Sequence, residues 1–294
     1  MQCARGGKLH GILRAAIVAT LVVWPSFASA AIIGPTDDWK PLAHGARDLG
    51  VSEEMVKRIL AAGVELMCPG TVHVNDGVLN GWFLGDSTSS FYTIAHGVID
   101  IGRIDRKVNF IEPLDQCTGK SYRDLATKGP NATAYPLAIP ENRHEMELAT
   151  FTPQSAPPND DRAKLNLLHP VAGARALPLP DMGAGNLAVG QEVILVSMTP
   201  PLMRVPEIQA CHIKSIKLRS MRPGLMFTDC DNRPGNSAGL YFMRDPARPG
   251  MLLPIALHEG CHEKRGDYQA WDQDDNTAVG IMLQSNFFAL QARS

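Results

Sequence analysis

The stretch DCDNRPGNSAGLYFM, Asp229 to Met243, contains Gly235-Asn236-Ser237-Ala238-Gly239, which satisfies the pattern G-x-S-x-G, and two folds compete for it. In an α/β-hydrolase the pattern forms a sharp turn between a strand and the helix that follows. Here Pro234 precedes the turn, and Leu240-Tyr241-Phe242-Met243 reads on as a strand of aromatic and aliphatic residues. The nearest histidine of interest, His96, lies upstream of the serine, whereas that fold places its histidine downstream. The turn therefore belongs to a β protein.

The rest of the chain agrees. Short runs rich in β-branched and aromatic residues, broken by Gly, Pro, Asn and Asp, recur at Gly70 to Val74, Val78 to Leu84, Phe91 to Ala95, Glu147 to Phe151, Val193 to Ser197, Cys211 to Leu218, Gly224 to Thr228, Leu252 to His258 and Ala278 to Leu283. Crossover helices between them are missing, which favours antiparallel barrels or a sandwich over βαβ units. One helix stands out: Ser52 caps Glu53-Glu54, and Met55, Val56, Ile59 and Leu60 follow at helical spacing. The stretch Thr152 to Pro180, with Pro157-Pro158 and Asn159-Asp160-Asp161, reads as a connector between two β halves.

The first thirty residues carry Arg5, Lys8 and Arg14 without an acid, then the apolar run Ala15 to Trp24, then Ala28-Ser29-Ala30. This is the pattern of a signal peptide cut after Ala30, so a secreted or periplasmic protein is expected. No later run reaches the ~18 apolar residues of a membrane span. The expected organisation is residues 1–30 signal, 31–63 N-terminal segment with helix, 64–165 first β-barrel and 166–294 second β-barrel. A formal charge of −2 offers no basic face for nucleic acid or an anionic membrane. A protein or peptide partner is expected, with the chain a monomer. After removal of Cys3, the cysteines Cys68, Cys117, Cys211, Cys230 and Cys261 would sit in an oxidising compartment, enough for two disulfides and one thiol.

Chemistry concentrates in three segments: Tyr92-Thr93-Ile94-Ala95-His96-Gly97, His144-Glu145-Met146-Glu147-Leu148-Ala149, and Cys230 to Gly239. They supply a base, a carboxylate and a nucleophile, in that order. A serine hydroxyl is a poor nucleophile near neutral pH and needs an imidazole to take its proton, with an acid to hold the imidazole's tautomer. Gly235 lets the backbone turn so that the amides of Gly235 and Ser237 can converge on an oxyanion.

These segments resemble the trypsin-like serine peptidases, and within them the bacterial glutamyl-endopeptidase-like branch. Thr93-Ile94-Ala95-His96 is similar to the family's T-A-A-H, and Cys230 to Gly239 to its C-D-T-x-P-G-N-S-G-S. Ile32-Ile33-Gly34, Cys68-Pro69-Gly70-Thr71, Gly190-Gln191-Glu192-Val193 and Asn276-Thr277-Ala278-Val279 resemble the branch's N-terminus, first barrel strand, second barrel opening and closing strand. The resemblance implies an all-β fold of two antiparallel six-stranded barrels with a short N-terminal helix and the active site in the cleft between them. It implies His96 as general base then acid, Glu147 as the orienting acid, Ser237 as nucleophile, and the Gly235 and Ser237 amides as oxyanion hole, with no cofactor and no metal. The family's acid is an aspartate and its residue after the serine a glycine; this chain has Glu147 and Ala238. A catalytically impaired, peptide-binding relative is the alternative that Glu147 raises.

Around the serine, the resemblance implies a disulfide between Cys211 and Cys230 and a specificity pocket lined by Asp231, Asn232, His258 and Gly260. His258 matches a histidine that receives acidic side chains in the branch. Asp231, six residues before Ser237, falls where trypsin holds the acid that favours basic ones. Acidic and basic preferences both stay open. Asn236 stands where enzymes activated by a freed N-terminus carry an aspartate, so that activation route is not expected. Finally, His258-Glu259-Gly260-Cys261-His262 spells the zinc-protease pattern H-E-x-x-H, but that pattern works only on a helix, whereas Leu252 to Leu257 reads as a strand and Gly260 sits inside the helix the pattern would need.

Overall fold

The computed structural model describes residues 32–67, 78–94, 99–100, 109–110, 117–138, 161–179, 187–198, 205–218, 224–233, 235–263, 270–273 and 276–283. In chain order the elements are β1 Lys40–Pro41, α1 Leu42–Asp48, α2 Glu53–Ala62, β2 Gly63–Met67, β3 Val78–Trp82, β4 Ser90–Thr93, β5 Ile99–Asp100, β6 Asn109–Phe110, β7 Thr118–Ser121, α3 Tyr122–Lys128, β8 Tyr135–Pro136 and β9 Ala163–Asn166. The later part adds β10 Glu192–Met198, β11 Pro206–Lys217, β12 Leu225–Thr228, β13 Leu240–Arg244, β14 Leu252–Glu263 and β15 Asn276–Met282.

The later strands close on themselves. Their order is β11-β10-β13-β14-β15-β12, and β12 pairs back to β11, so this antiparallel six-stranded barrel has no free edge within the ring. β1 adds on outside, against β11. The earlier strands form a curled antiparallel sheet in the order β8-β7-β2-β3-β4-β9, whose ends meet at one bridge between Leu137 and Leu167. The expected all-β fold of two six-stranded units is thus present: one is a closed barrel, the other a curled half-barrel.

Helix α2 forms as read. The Ser52 hydroxyl accepts from the Met55 amide at 3.2 Å, Glu53 and Glu54 occupy the first turn, and Met55, Ile59, Ala61 and Ala62 face inward. Two seven-residue helices, α1 and α3, were not expected. The connector reading of Thr152 to Pro180 also needs correcting, because β9 lies inside it and pairs with β4. Only Ala163 and Leu165 point into the core there, too short an alternation to announce a strand. The expected strands Gly70 to Val74 and Glu147 to Phe151 lie outside the described residues.

One apolar cluster runs through both halves, joining Leu66 and Trp82 of the sheet to Ile194 and Phe242 of the barrel. Trp82 meets Phe242 edge-on at 6.1 Å between ring centroids, and both are fully buried. Burying one such side chain stabilises by about 2 to 3 kcal/mol. Held this way, β3 of the sheet lies against the loop between β12 and β13, which carries Ser237.

Candidate active site around Ser237

The loop from Asp229 to Gly239 is tight because two of its residues are left-handed: Gly235 at φ +88° and Ala238 at φ +60°. Between them Asn236 shapes the turn. Its side-chain oxygen accepts from the Arg233 amide at 2.6 Å, its amide donates to Arg233 O at 3.0 Å, and its Nδ2 donates to Ser197 Oγ at 3.0 Å. The Gly239 amide returns to Asn236 O at 2.7 Å. Gly239 suits a close approach, since a Cβ there would stand 3.0 Å from Asn236 O and 3.1 Å from Val196 O, tight enough that the backbone would have to give by a few tenths of an ångström. The turn is then stitched to β14: the Ala238 amide donates to His258 O at 2.8 Å and the His258 amide to Gly239 O at 2.7 Å. Gly235, Asn236, Ala238, Gly239 and Leu240 are buried, and Ser237 alone is partly exposed.

Two residues of β3, absent from the sequence reading, hold the turn from the other half. Asn80 donates from Nδ2 to Gly235 O at 2.8 Å and Ser237 O at 2.9 Å, and its amide also reaches Ser237 O at 3.1 Å. Trp82 Nε1 donates to Ala238 O at 2.8 Å. A signal for Asn80 existed: asparagine is disfavoured inside strands, and this one is wholly buried. Thr93, which ends β4 three residues before His96, donates from Oγ1 to Asn80 O at 2.7 Å. His96 and Glu147 lie outside the described residues.

The residues expected to line a pocket have definite partners. His258 is fully buried; its Nδ1 sits 3.0 Å from the Tyr241 hydroxyl and its Nε2 2.5 Å from Asn232 Oδ1. Asn232 Nδ2 donates to Cys261 Sγ at 3.1 Å. That places the Asn232 oxygen toward the ring, so Nε2 carries the proton and Nδ1 accepts from Tyr241. Tyr241 OH is also 3.2 Å from Thr228 Oγ1. Burial pushes the phenol well above its ordinary value, keeping it a neutral donor. Gly260 lies at the bulge where β14 shifts register against β15. HEGCH is therefore extended, with residues four apart ~13 Å apart rather than stacked as on a helix.

Asp231 is turned away from this group. Its carboxylate accepts from the Ile33 amide at 2.7 Å and from the Asp38 amide at 2.7 Å, pinning both ends of an N-terminal loop. Burial, joined by repulsion from Asp38 and Asp37, outweighs those two donors and lifts its carboxyl to about 6. Gln209 clamps its backbone, accepting from Asp231 N at 3.0 Å and donating to Asp231 O at 2.7 Å. Next to it Arg233 pairs with Glu207 at 3.2 Å and with Asp37.

Cys211 and Cys230 form the disulfide that the resemblance implied, tying β11 to the start of the loop that carries Ser237. Cys117 is also disulfide-bonded, Cys261 is a thiol, and Cys68 lies outside the described residues. Among the described residues no helix is long and apolar enough to cross a membrane. No family model matches the chain, and no curated protein matches it either.

Proposed function

We propose that this chain is an exported serine endopeptidase of the chymotrypsin-like type. The observation that carries the reading is Ser237: the one partly exposed residue between Gly235 and Leu240, flanked by the left-handed Gly235 and Ala238 and set where a six-stranded barrel meets a curled six-stranded sheet. Support also comes from β4, which leads to His96. Its last residue and Ser237 both bond to Asn80, so the three residues from Thr93 to His96, spanning up to roughly 11 Å, can bring an imidazole to the hydroxyl.

In this reading His96 takes the Ser237 proton as Oγ attacks a peptide carbonyl. The oxyanion settles on the Gly235 and Ser237 amides, and His96 returns the proton to the leaving amine as the acyl-enzyme forms. Water then repeats the sequence and frees the acid. Glu147 orients the imidazole. The substrate is a protein or peptide, the enzyme acts as a monomer, and neither nucleic acid nor membrane is a partner. The geometry of Asp231 favours the N-terminal loop over a substrate cation as the partner of its carboxylate, which weighs against a basic preference.

The test is the intact mass of the purified mature protein after treatment with a fluorophosphonate, beside Ser237→Ala. One adduct on the wild type alone is the expected result. A folded wild type that takes none would refute the peptidase reading and leave a peptide-binding relative with the same cleft.

A further inference from the structure

We propose that Asn80 is a positioning residue for the nucleophile turn, coupling the reactivity of Ser237 to the other half of the molecule. The inference rests on the peptidase reading above. Asn80 has no exposed surface, and its side chain is bonded at both ends. Oδ1 accepts from the Met198 amide at 2.6 Å and from the Tyr122 hydroxyl, while Nδ2 faces Gly235 O, Ser237 O and Ser197 Oγ, the last at 3.1 Å. A backbone amide can only donate and a carbonyl can only accept, so these partners fix which end of the carboxamide is nitrogen.

The consequence for the turn follows from peptide planarity. In a trans peptide the N–H points opposite the C=O, so anchoring a carbonyl aims the following amide. Asn80 anchors Gly235 O and Ser237 O, and the Asn236 amide accordingly reaches Arg233 O and the Ala238 amide His258 O. Between them, Asn236 O is held by the Gly239 amide and by Ser197 Oγ at 3.4 Å, which directs the Ser237 amide the other way. Ser197 is itself hydrogen-bonded to Asn80. The carboxamide thus anchors directly the first and third of three consecutive peptide planes around Ser237, and the plane between them, whose N–H belongs to the proposed oxyanion hole, is framed by these two and adjoins Ser197, which accepts from Asn80. Packing alone would not require an amide here, since a leucine of similar volume would fill the space but take the Asn80 side-chain partner from Gly235 O and from the Met198 amide, while Ser237 O would keep the Asn80 backbone amide.

The distinguishing variant is Asn80→Asp. Protonated, its carboxyl can still donate one hydrogen to Gly235 O or Ser237 O; ionised, it presents only oxygens to those carbonyls and repels them. Fluorophosphonate labelling rates of folded wild type, Asn80→Ser and Asn80→Asp would be measured from pH 5 to 9, with circular dichroism confirming the fold. Asn80→Ser should label roughly tenfold to a hundredfold more slowly, with full final stoichiometry. Asn80→Asp should lose rate relative to wild type as pH rises. Wild-type rates in either variant, or an Asn80→Asp profile that is the wild-type curve scaled by a constant, would overturn the positioning role while leaving the peptidase reading intact. Should both variants fail to fold, Tyr122→Phe removes only the hydroxyl on Asn80 Oδ1; a slower rate supports the coupling and an unchanged one refutes it. Failure of the wild type itself to label removes the peptidase reading, and this inference with it.

Discussion

Replacing Ala238 by glycine should leave stability nearly unchanged, although it deletes a methyl group with no exposed surface from the core cluster. Losing the buried methyl costs about 0.8 kcal/mol. The greater freedom of glycine in the unfolded chain costs a further ~0.5 to 1 kcal/mol. Against these stands the strain of an L-residue held at φ +60°, about 1 to 2 kcal/mol, which glycine does not carry. The terms cancel to within about 1 kcal/mol. Ala256 is the control: equally buried, in β14, paired with Tyr241 and Met282 and without a positive φ, so its replacement by glycine has no left-handed strain to release and should cost about 1.3 to 1.8 kcal/mol. Urea denaturation of both variants in a Ser237→Ala background, which would remove any self-digestion under the proposed function, gives the two values directly. Equal losses at the two positions would refute the argument that the turn stores strain at Ala238. Ala238→Val should be worse than wild type by 2 kcal/mol or more, because a β-branched side chain tolerates this backbone least.

Asp231→Asn should change the pH dependence of stability. The folded-state carboxyl is raised from 3.8 to about 6, so the folded protein binds this proton more tightly than the unfolded chain does. Its contribution is full below pH 4 and is lost as pH rises through 6, and wild-type stability relative to the variant should fall by up to roughly 3 kcal/mol between pH 4 and 7; a pH-independent difference in urea midpoints would contradict this. Tyr241→Phe removes the donor to His258 Nδ1 and should cost about 1 to 3 kcal/mol in the same assay, a loss under ~0.5 kcal/mol showing that the buried ring does not need it. Converting both Cys211 and Cys230 to serine, across a separation of 19 residues, should cost about 3 kcal/mol, and an unchanged thermal midpoint would deny the bridge its role.

What was legible in the sequence was local. The Ser52 cap, the run Leu240 to Met243 and the turn residues Gly235 and Gly239 each announce their conformation through a few neighbours. Strands β7 and β9 did not, because four-residue segments containing Gly, Lys or Asn are strands only by virtue of pairing with β2 and β4. Asp231 shows the same limit at the site. Counting six residues back from Ser237 gives its place along the chain, but the direction of its carboxylate is decided by Ile33, 198 residues away. Asn80 meets Gly235 across 155 residues, a contact that no periodicity encodes.

The closed barrel imposes an order of events on a newly made chain. β15 lies between β14 and β12 in the ring, so the ring cannot shut until Asn276 to Met282 have been synthesised, about forty residues after Ser237. The turn is also stitched to β14, which follows it, and to β3, which precedes it by more than a hundred residues. A ribosome-bound chain truncated anywhere between Ser237 and β15 therefore holds every atom of the turn without the scaffold that shapes it. The geometry of the turn therefore arrives late and all at once, when the last strand joins the ring.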